Sequence, residues 1–364
     1  MEAVNRGVSE RLTVLTLNEG SSSLKFGLYA AGSGAAALLA EGAVDTSPGH
    51  DESFDRIEAA LGGVRPGAIG HRIVHGGPDL FEPALIDAAV IAKLEAATDF
   101  APLHGPAALA LIRAAAERYP ELPQVACFDT GFHAHLPDVA AVLPIPKALR
   151  SAGIRRYGFH GLSCQSIVHQ LGSALPDRLI IAHLGSGASV TAVRAGRSVD
   201  TSMGLTPSGG VVMATRAGDL DPGVLLYLMR VRGMDAGAIE ALVDGQSGML
   251  GISGRSGDLR RLHAAGDADA ALAIAIFCRS VAKQIAAMMA ALGGADLIVF
   301  TGGIGEHDGA VRDAIRADLA WAGPVATQVL PSREGEQIAR GAAAALGVFM
   351  VHKGWPMLRE PDND

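Results

Sequence analysis

Three short loops rich in glycine and serine have the residue types that bind phosphate. They span residues 20–23, 185–189 and 302–305, and each directly follows an apolar run typical of a β-strand. Backbone N–H groups in such loops donate to phosphate oxygens, and Lys25 adds a positive charge close to the first loop. A single loop of this kind is more often an ordinary tight turn. Together the three predict a phosphate-binding cleft lined from two domains.

Histidine and arginine are concentrated in three further segments, GHRIVHGG at residues 70–77, CFDTGFH at 127–133 and RRYGFHG at 155–161. Arg216 lies in TRAGDLDP, where small neighbours let a ligand approach a guanidinium that donates two parallel hydrogen bonds. Folding alone does not predict these clusters. For a lone histidine such as His133 or His135, a surface or hydrogen-bonded structural role is the more frequent explanation.

Several other classes of site and protein are disfavoured. No Gly-Lys-Ser/Thr, complete GxGxxG or HExxH occurs, and the three cysteines form no CxxC pair. A net charge of −8 and only 4% aromatic residues argue against nucleic-acid binding. The polar N-terminus lacks a signal-peptide pattern, and no apolar run reaches the roughly 18 residues of a membrane helix. We therefore expect a cytoplasmic protein without nucleic-acid or membrane partners.

The elements that must position these residues alternate between strands and helices. Residues 12–29 and 179–193 each read as strand, Gly/Ser turn and strand, at an offset of 165 residues between Gly20 and Gly185. A stripe of apolar residues on one helical face runs from Val281 to Leu292, and a strand follows at 297–300. This alternation predicts an α/β protein, and the two hairpins suggest duplicated domains, with two unrelated hairpins as the alternative.

Ten segments resemble acetate kinases in order and spacing, and they cover the chain from Asn18 to about Arg340. They are NEGSSSLKF, GHRIVHGG, PLHGP, FDTGFH, RRYGFHG, HLGSGAS, SVDTSMGLTP, TRAGDLDP, GISGRSGDLR and TGGIGE. The resemblance implies two duplicated actin-like ATPase (ribonuclease H-like) domains with a nucleotide cleft between them. It suggests an N-terminal domain over residues 1–150, completed by the helical region 336–364, and a nucleotide-binding domain over residues 151–335.

The resemblance also implies an activity and roles for matching positions. The activity is direct in-line, reversible phosphoryl transfer from Mg-ATP to acetate, giving acetyl phosphate and ADP. Arg72 and Arg216 would bind the carboxylate and the phosphoryl group, His160 would donate to the equatorial phosphoryl oxygens, and Asp129 would orient Mg-ATP. Asn18 and Glu334 would lie at the metal, which is Mg²⁺ or alternatively Mn²⁺. Glu306 is the next acidic candidate.

The remaining matched positions bind the acyl group and the nucleotide. The acyl pocket would consist of Val74, Leu103, Phe159 and Pro207, with His104 in support. The nucleotide would contact Lys25, His183, Gly185, Ser186, Gly187, Asp258, Arg260, Gly303, Ile304 and Gly305. A homodimer is also implied.

The chemistry explains these residue types. A carboxylate with an ordinary pKa is ionised at pH 7, so the reaction needs no general base. The obstacle is repulsion between the carboxylate and the γ-phosphate, roughly 4 kcal/mol per charge pair at about 4 Å and an effective dielectric constant near 20. Positive charges and hydrogen-bond donors must therefore surround the reacting atoms.

Some positions depart from the family pattern. Ser186 and Gly105 stand where the family usually has Asn, Glu19 occupies a position that usually has a small uncharged residue or Cys, and the segments 30–69 and 307–338 are shorter than in most relatives. These departures motivate a non-catalytic nucleotide-binding relative as one alternative. A propionate kinase is the nearer alternative and a butyrate kinase a more distant one, while GTP and pyrophosphate remain alternative phosphoryl donors.

Overall fold

The computed structural model describes residues 12–20, 23–32, 35–46, 49–102 and 104–347. The chain divides into two compact units. Unit 1 comprises the residues up to Phe128 together with those from Glu334 onward, and unit 2 runs from Asp129 to Arg333. The boundary expected from the sequence, between residues 150 and 151, falls inside unit 2. The assignment of domain limits stays a prediction.

Unit 1 contains a mixed sheet that, in the described residues, has six strands in the order β3-β2-β1-β4-β6-β5. The hairpin β1–β2 and the pair β2–β3 are antiparallel, whereas β1, β4 and β6 run parallel. The central strand β4 is buried along most of its length, as expected for a parallel strand covered on both faces. The strands are β1 Leu12–Glu19, β2 Ser23–Gly32, β3 Ala35–Asp45, β4 Ala68–Ile73, β5 Ala84–Leu85 and β6 Gln124–Phe128.

Unit 2 repeats the order and direction of five of these strands, β3-β2-β1-β4-β6, and its described residues include no counterpart of β5. Its described sheet has the order β9-β8-β7-β10-β11, with β7–β8 and β8–β9 antiparallel and β7, β10 and β11 parallel. A register shift occurs at Leu28/Tyr29 between β2 and β3 and at Ala192/Val193 between β8 and β9, at nearly the offset of the two hairpins. The duplication expected from the sequence is confirmed. The strands are β7 Arg178–Leu184, β8 Ala188–Arg194, β9 Arg197–Thr201, β10 Leu297–Thr301 and β11 Ala326–Val329.

Helices cover the sheets, and many begin at an aspartate whose carboxylate accepts a backbone N–H of the first turn. Asp87, Asp235, Asp267 and Asp308 cap helices in this way. The described helices of unit 1 are α1 His50–Ala60, α2 Ala88–Ala96, α3 Gly105–Arg118 and α14 Glu334–Ala345. Those of unit 2 are α4 Asp138–Ala141, α5 Lys147–Arg150, α6 Gly161–Leu171, α7 Pro222–Arg232, α8 Ala236–Ala241, α9 Gly248–Ser253, α10 Leu259–Ala265, α11 Ala268–Leu292, α12 Gly302–His307 and α13 Gly309–Asp318.

The long helix α11 has the predicted apolar stripe, because the residues from Val281 to Leu292 on that face are buried. It ends at Gly293, which has a left-handed backbone conformation. Within the described ranges it is the one helix whose length and composition would suffice to cross a membrane. Its buried face packs against β8, α9 and α13, which is the environment of a core helix.

The glycine-rich segment after β10 differs from its predicted loop conformation. Residues Gly302–His307 form the short helix α12 directly at the end of the strand. The Gly302 N–H donates to a carboxylate oxygen of Glu306 at 3.1 Å, which satisfies a backbone donor of the first turn. The prediction of a strand before this segment is confirmed, and the prediction of an irregular loop is wrong.

Candidate active site

Polar residues of unit 1 form a row across three neighbouring strands. Asn18 on β1 pairs with Lys25 on β2, and the parallel register of β1 and β4 brings Arg72 beside Asn18. The Arg72 guanidinium donates to the Asn18 amide oxygen at 3.1 Å, and the Asn18 amide nitrogen donates to Glu334 at 2.9 Å. The row thus places the residues assigned to the nucleotide, the metal and the substrate on adjacent strands, and Asn18 links it to Glu334, the first residue of α14.

The two acidic candidates for the metal have different surroundings. One carboxylate oxygen of Glu306 accepts the backbone N–H groups of Gly302 and Ser332, at 3.1 and 3.0 Å. Glu306 therefore stabilises the start of α12, whereas Glu334 contacts Asn18. Within the described ranges no three or more His, Cys, Asp or Glu side chains cluster as a metal site.

His160 of unit 2 occupies an uncommon backbone conformation directly before α6. Its φ of 57° is left-handed, which few residues other than glycine adopt. The next residue, Gly161, donates its N–H to the Asp129 carbonyl at 2.8 Å, and a Cβ at Gly161 would collide with that oxygen. The backbones that carry Asp129 and His160 are thereby hydrogen-bonded to each other.

The side chains of His160 and Arg216 converge on Gly187. A Cβ built on Gly187 would lie 3.2 Å from His160 Nε2 and 3.3 Å from Arg216 Nη1. Only a glycine leaves this space open to a ligand atom. Two of the four predicted catalytic residues therefore meet at one of the predicted phosphate-binding glycines.

Serine hydroxyls and a second histidine orient His160. His160 Nδ1 lies 3.0 Å from Ser189 Oγ, so a hydroxyl that donates to Nδ1 leaves the proton on Nε2, the nitrogen that points toward Gly187. The ring stacks on His183 with centroids 4.2 Å apart, and His183 Nδ1 lies 2.8 Å from Ser163 Oγ. The arrangement can present an N–H donor to an anion.

The backbone around Arg216 is held by the segment that leads into α9. Thr215 O accepts from Ser247 N at 3.0 Å, and Ala217 N donates to Val243 O at 2.9 Å. The guanidinium itself donates to the Pro207 carbonyl at 3.2 Å. Arg216 is thus anchored on both sides of its Cα and at its head group.

An open cleft of about 830 Å³ in unit 2 brings together most of the predicted nucleotide-binding residues. Gly185, Ser186, Asp258, Arg260, Gly303 and Ile304 line it. Asp258 caps α10 and forms two side-chain hydrogen bonds with Arg260. The Arg260 guanidinium lowers the pKa of Asp258 below its ordinary value. The cleft therefore presents a carboxylate at neutral pH.

The predicted acyl pocket draws its residues from both units. Leu103 lies outside the described residues. In unit 1, Val74 and His104 line a small, mainly apolar cavity behind β4. In unit 2, Phe159 and Pro207 are buried. That these residues together form one pocket for the acyl group stays a prediction.

Sequence reasoning missed several residues of the site. Ser163 and Ser189 orient the two stacked histidines, and Thr215, His263 and His307 line the cleft of unit 2. Ser189 and Thr215 lie inside the segments HLGSGAS and TRAGDLDP, so membership of these segments was the available signal.

Comparison with known proteins agrees with this geometry. The family model of the acetokinase family matches residues 63–353. Acetate kinases of Rhodopseudomonas palustris (strain ATCC BAA-98 / CGA009) and Deinococcus deserti are 42% and 44% identical over 346 and 337 residues. These alignments cover 85% and 83% of this chain and 87% and 84% of those proteins.

Solved structures give the same result. A propionate kinase from Francisella tularensis has a TM-score of 0.82 and 34% identity, over 92% of this chain and 99% of that one. Porphyromonas gingivalis acetate kinase has a TM-score of 0.82 and 32% identity, over 92% and 100% of the two chains. With the duplicated sheets and the residues that meet at Gly187, these matches lead to one conclusion: the chain belongs to the acetokinase family.

Proposed function

We propose that this protein is an acetate kinase that transfers a phosphoryl group reversibly between Mg-ATP and acetate, with acetyl phosphate and ADP as products. The observation that carries the proposal is the convergence of His160 Nε2 and Arg216 Nη1 above Gly187. Two donors aimed at one point beside a phosphate-binding loop suit the charge that develops on a transferring phosphoryl group.

Each catalytic residue would have a distinct role. Arg216 and His160 would donate to the phosphoryl oxygens, and these bonds would strengthen as the phosphoryl group leaves ADP. Arg72 would bind the acetate carboxylate. Asp129 would orient Mg-ATP, since an ionised carboxylate nucleophile needs no base. The pathway is a direct in-line displacement without a phosphorylated protein group.

Mg²⁺ suits the oxygen atoms available in unit 1. This ion takes oxygen ligands and is usually held by one or two carboxylates together with substrate phosphates and water. Glu334 would supply a carboxylate and Asn18 an amide oxygen, and the Asn18 amide nitrogen, which donates to Glu334 at 2.9 Å, places the two side chains side by side. When bound, the ion neutralises phosphate charge. Mn²⁺ would fit the same oxygen ligands.

The size of the unit 2 cleft supports a nucleotide donor over pyrophosphate. A volume of about 830 Å³ lies within the range of roughly 300–1,000 Å³ typical of sites for small molecules as large as a nucleotide. Pyrophosphate would need only the phosphate loops. Asp258 and Arg260 would border the adenosine. Discrimination between acetate and propionate would be weak, because one methylene contributes only about 1–3 kcal/mol.

A homodimer is supported by the surface of α7. The sequence of this helix is PGVLLYLMRVR, yet none of its residues is buried, and Leu226 and Val231 are 53% and 61% exposed. Asp221 lies at its start, and Arg230 and Arg232 lie in its last turn. Antiparallel contact between two copies of α7 would cover the apolar face and bring opposite charges together. Cytoplasmic localisation remains part of the same proposal.

An acyl-phosphate assay tests the activity. Purified protein, Mg-ATP and acetate, propionate or butyrate are incubated, and the product is trapped as a hydroxamate. We expect product from acetate and a loss of at least about 10³-fold in kcat for Arg216→Ala. Arg56→Ala, which changes an exposed arginine of α1, is the matched control and should retain full activity. Absence of product with every acid, despite ATP binding, would favour the non-catalytic relative.

A further inference from the structure

His133 is fully buried in unit 2, and both of its ring nitrogens have hydrogen-bond partners. Nε2 lies 3.0 Å from the Phe159 carbonyl oxygen and Nδ1 lies 2.8 Å from Ser198 Oγ. A carbonyl can only accept, so Nε2 carries the proton and Nδ1 accepts from the serine hydroxyl. Burial lowers the pKa of His133 to about 4. The imidazole is therefore neutral, with a fixed tautomer.

The carbonyl that accepts from His133 lies one peptide before His160. His160 has a φ of 57°, a conformation that persists in non-glycine residues only where the surroundings hold it. On the other side of His160, Gly161 N donates to Asp129 O. The segment from Asp129 to His133 thus hydrogen-bonds the backbone on both sides of His160.

Close packing supports the same arrangement. Gly158 has a φ of 75°, and a Cβ there would lie 2.8 Å from Cγ and Cδ2 of the His133 ring. The ring therefore packs directly against the turn that carries Phe159 and His160. A side chain at residue 158 would push the turn away from the histidine that holds it.

We propose that His133 is a positioning residue, whose Nε2–H bond to the Phe159 carbonyl holds His160 in the conformation that directs His160 Nε2 at Gly187. The inference rests on the proposed phosphoryl transfer. On this proposal His133 raises kcat through the conformation of His160, and its own side chain contacts no reacting atom.

Two substitutions separate the hydrogen bond from the packing. His133→Met fills the space without a donor, and His133→Gln keeps an N–H donor at the end of a similar side chain. We expect the Met variant to lower kcat about tenfold to hundredfold, since small misplacements of catalytic groups have effects of this size. KM for ATP should stay within about twofold, and the Gln variant should recover most of kcat. His135→Met, at an exposed histidine two residues on, is the matched control.

A double-mutant cycle tests whether His133 acts through His160. On a His160→Ala background, His133→Met should change kcat by less than about twofold, because no imidazole remains to be positioned. A further loss of tenfold or more on that background would overturn the proposal. So would an unchanged kcat in His133→Met, or a Gln variant as slow as the Met variant.

If His133→Met does not fold, a smaller change at Ser198 tests the same proposal. Ser198→Ala removes the hydroxyl that donates to Nδ1 and so helps to orient the ring. We expect kcat to fall several-fold, and only while His160 is present. Full activity in Ser198→Ala would count against the inference. An inactive wild-type protein would instead refute the proposed function, so the two failures are distinguishable.

Discussion

At the scale of single residues, the space above Gly187 is the feature most sensitive to change. In Gly187→Ala the new methyl group would lie 3.2 Å from His160 Nε2 and 3.3 Å from Arg216 Nη1, closer than ordinary van der Waals contact. Both side chains must then move, and the space for a phosphoryl oxygen is lost. We expect kcat/KM to fall about 10²-fold or more in steady-state assays.

A matched alanine substitution provides the control. A Cβ at Gly245 meets no atom within 4 Å, so Gly245→Ala should keep full activity. The φ of Gly187 is not left-handed, so Gly187→Ala should also keep the thermal stability of the wild type. Wild-type kcat/KM in Gly187→Ala would mean that the two donors do not act at this point.

His71 predicts a pH dependence of stability. Burial lowers its pKa to about 4, despite a hydrogen bond with Gln124. An ordinary histidine titrates near pH 6.5, so between pH 6.5 and 4 the unfolded chain binds a proton that the folded chain does not. The free energy of unfolding should therefore fall as pH falls through this window.

The size of the effect can be measured by urea denaturation. For this one histidine the loss between pH 7 and pH 5 is about 2 kcal/mol. His71→Gln, which cannot titrate, should reduce the pH dependence by that amount, and His71→Asn should do the same. Identical slopes in the wild type and both variants would show that folding does not lower the pKa of His71.

The sequence indicated the residue types of the site but not their pairings. Arg72 and His160 were recognisable because they lie in polar clusters that folding does not require, and Arg216 because its neighbours are small. The bond between His160 and Ser189 joins residues 29 positions apart, and that between His183 and Ser163 joins residues 20 apart. Such pairs depend on how strands and helices pack, which local patterns do not encode.

At the scale of elements, the duplication could be predicted from two hairpins because alternating polarity and a glycine turn are local signals. The common strand order and the matching register shifts arise from long-range pairing and became visible only in the fold. The loop predicted at residues 302–305 is part of a helix in the structure. The prediction was wrong because glycines are typical of loops. The carboxylate of Glu306, four residues on, satisfies the first N–H and allows a helix.

The exposed helix α7 carries a prediction about assembly. If two copies pair through it, sedimentation or light scattering should give twice the chain mass of 37.3 kDa. Val231→Asp adds a charge to the apolar face of α7, where Val231 is 61% exposed, and should yield the monomer mass without unfolding. Val139→Asp, at a valine that is 94% exposed on α4, is the control and should leave the mass unchanged. A Val231→Asp dimer would exclude α7 as the contact.

At the scale of the whole molecule, the net charge of −8 opposes the approach of anionic substrates. Local positive charge must therefore offset the average field. Lys25 on β2 and Arg72 on β4 flank β1 in the sheet of unit 1, and Arg216 and Arg260 lie in unit 2. Each unit thus has its own positive residues near a predicted phosphate or carboxylate contact. Ligand binding can therefore be measured for each unit separately.

Nucleotide binding should slow backbone hydrogen exchange more in unit 2 than in unit 1. All the residues that line the large cleft belong to unit 2, so Mg-ADP alone should slow hydrogen exchange at residues 185–187, 257–260 and 303–305 more than in β4 of unit 1. At 100 times its Kd, ADP should stabilise the unit that binds it by about 2.7 kcal/mol, which calorimetry would detect as a higher Tm.

Arg260→Ala should weaken both effects, whereas Arg113→Ala, an exposed arginine of unit 1, should change neither. Protection confined to unit 1 would mean that the cleft is not the nucleotide site, and the assignment of Asp258, Arg260 and Gly303 would then fail together.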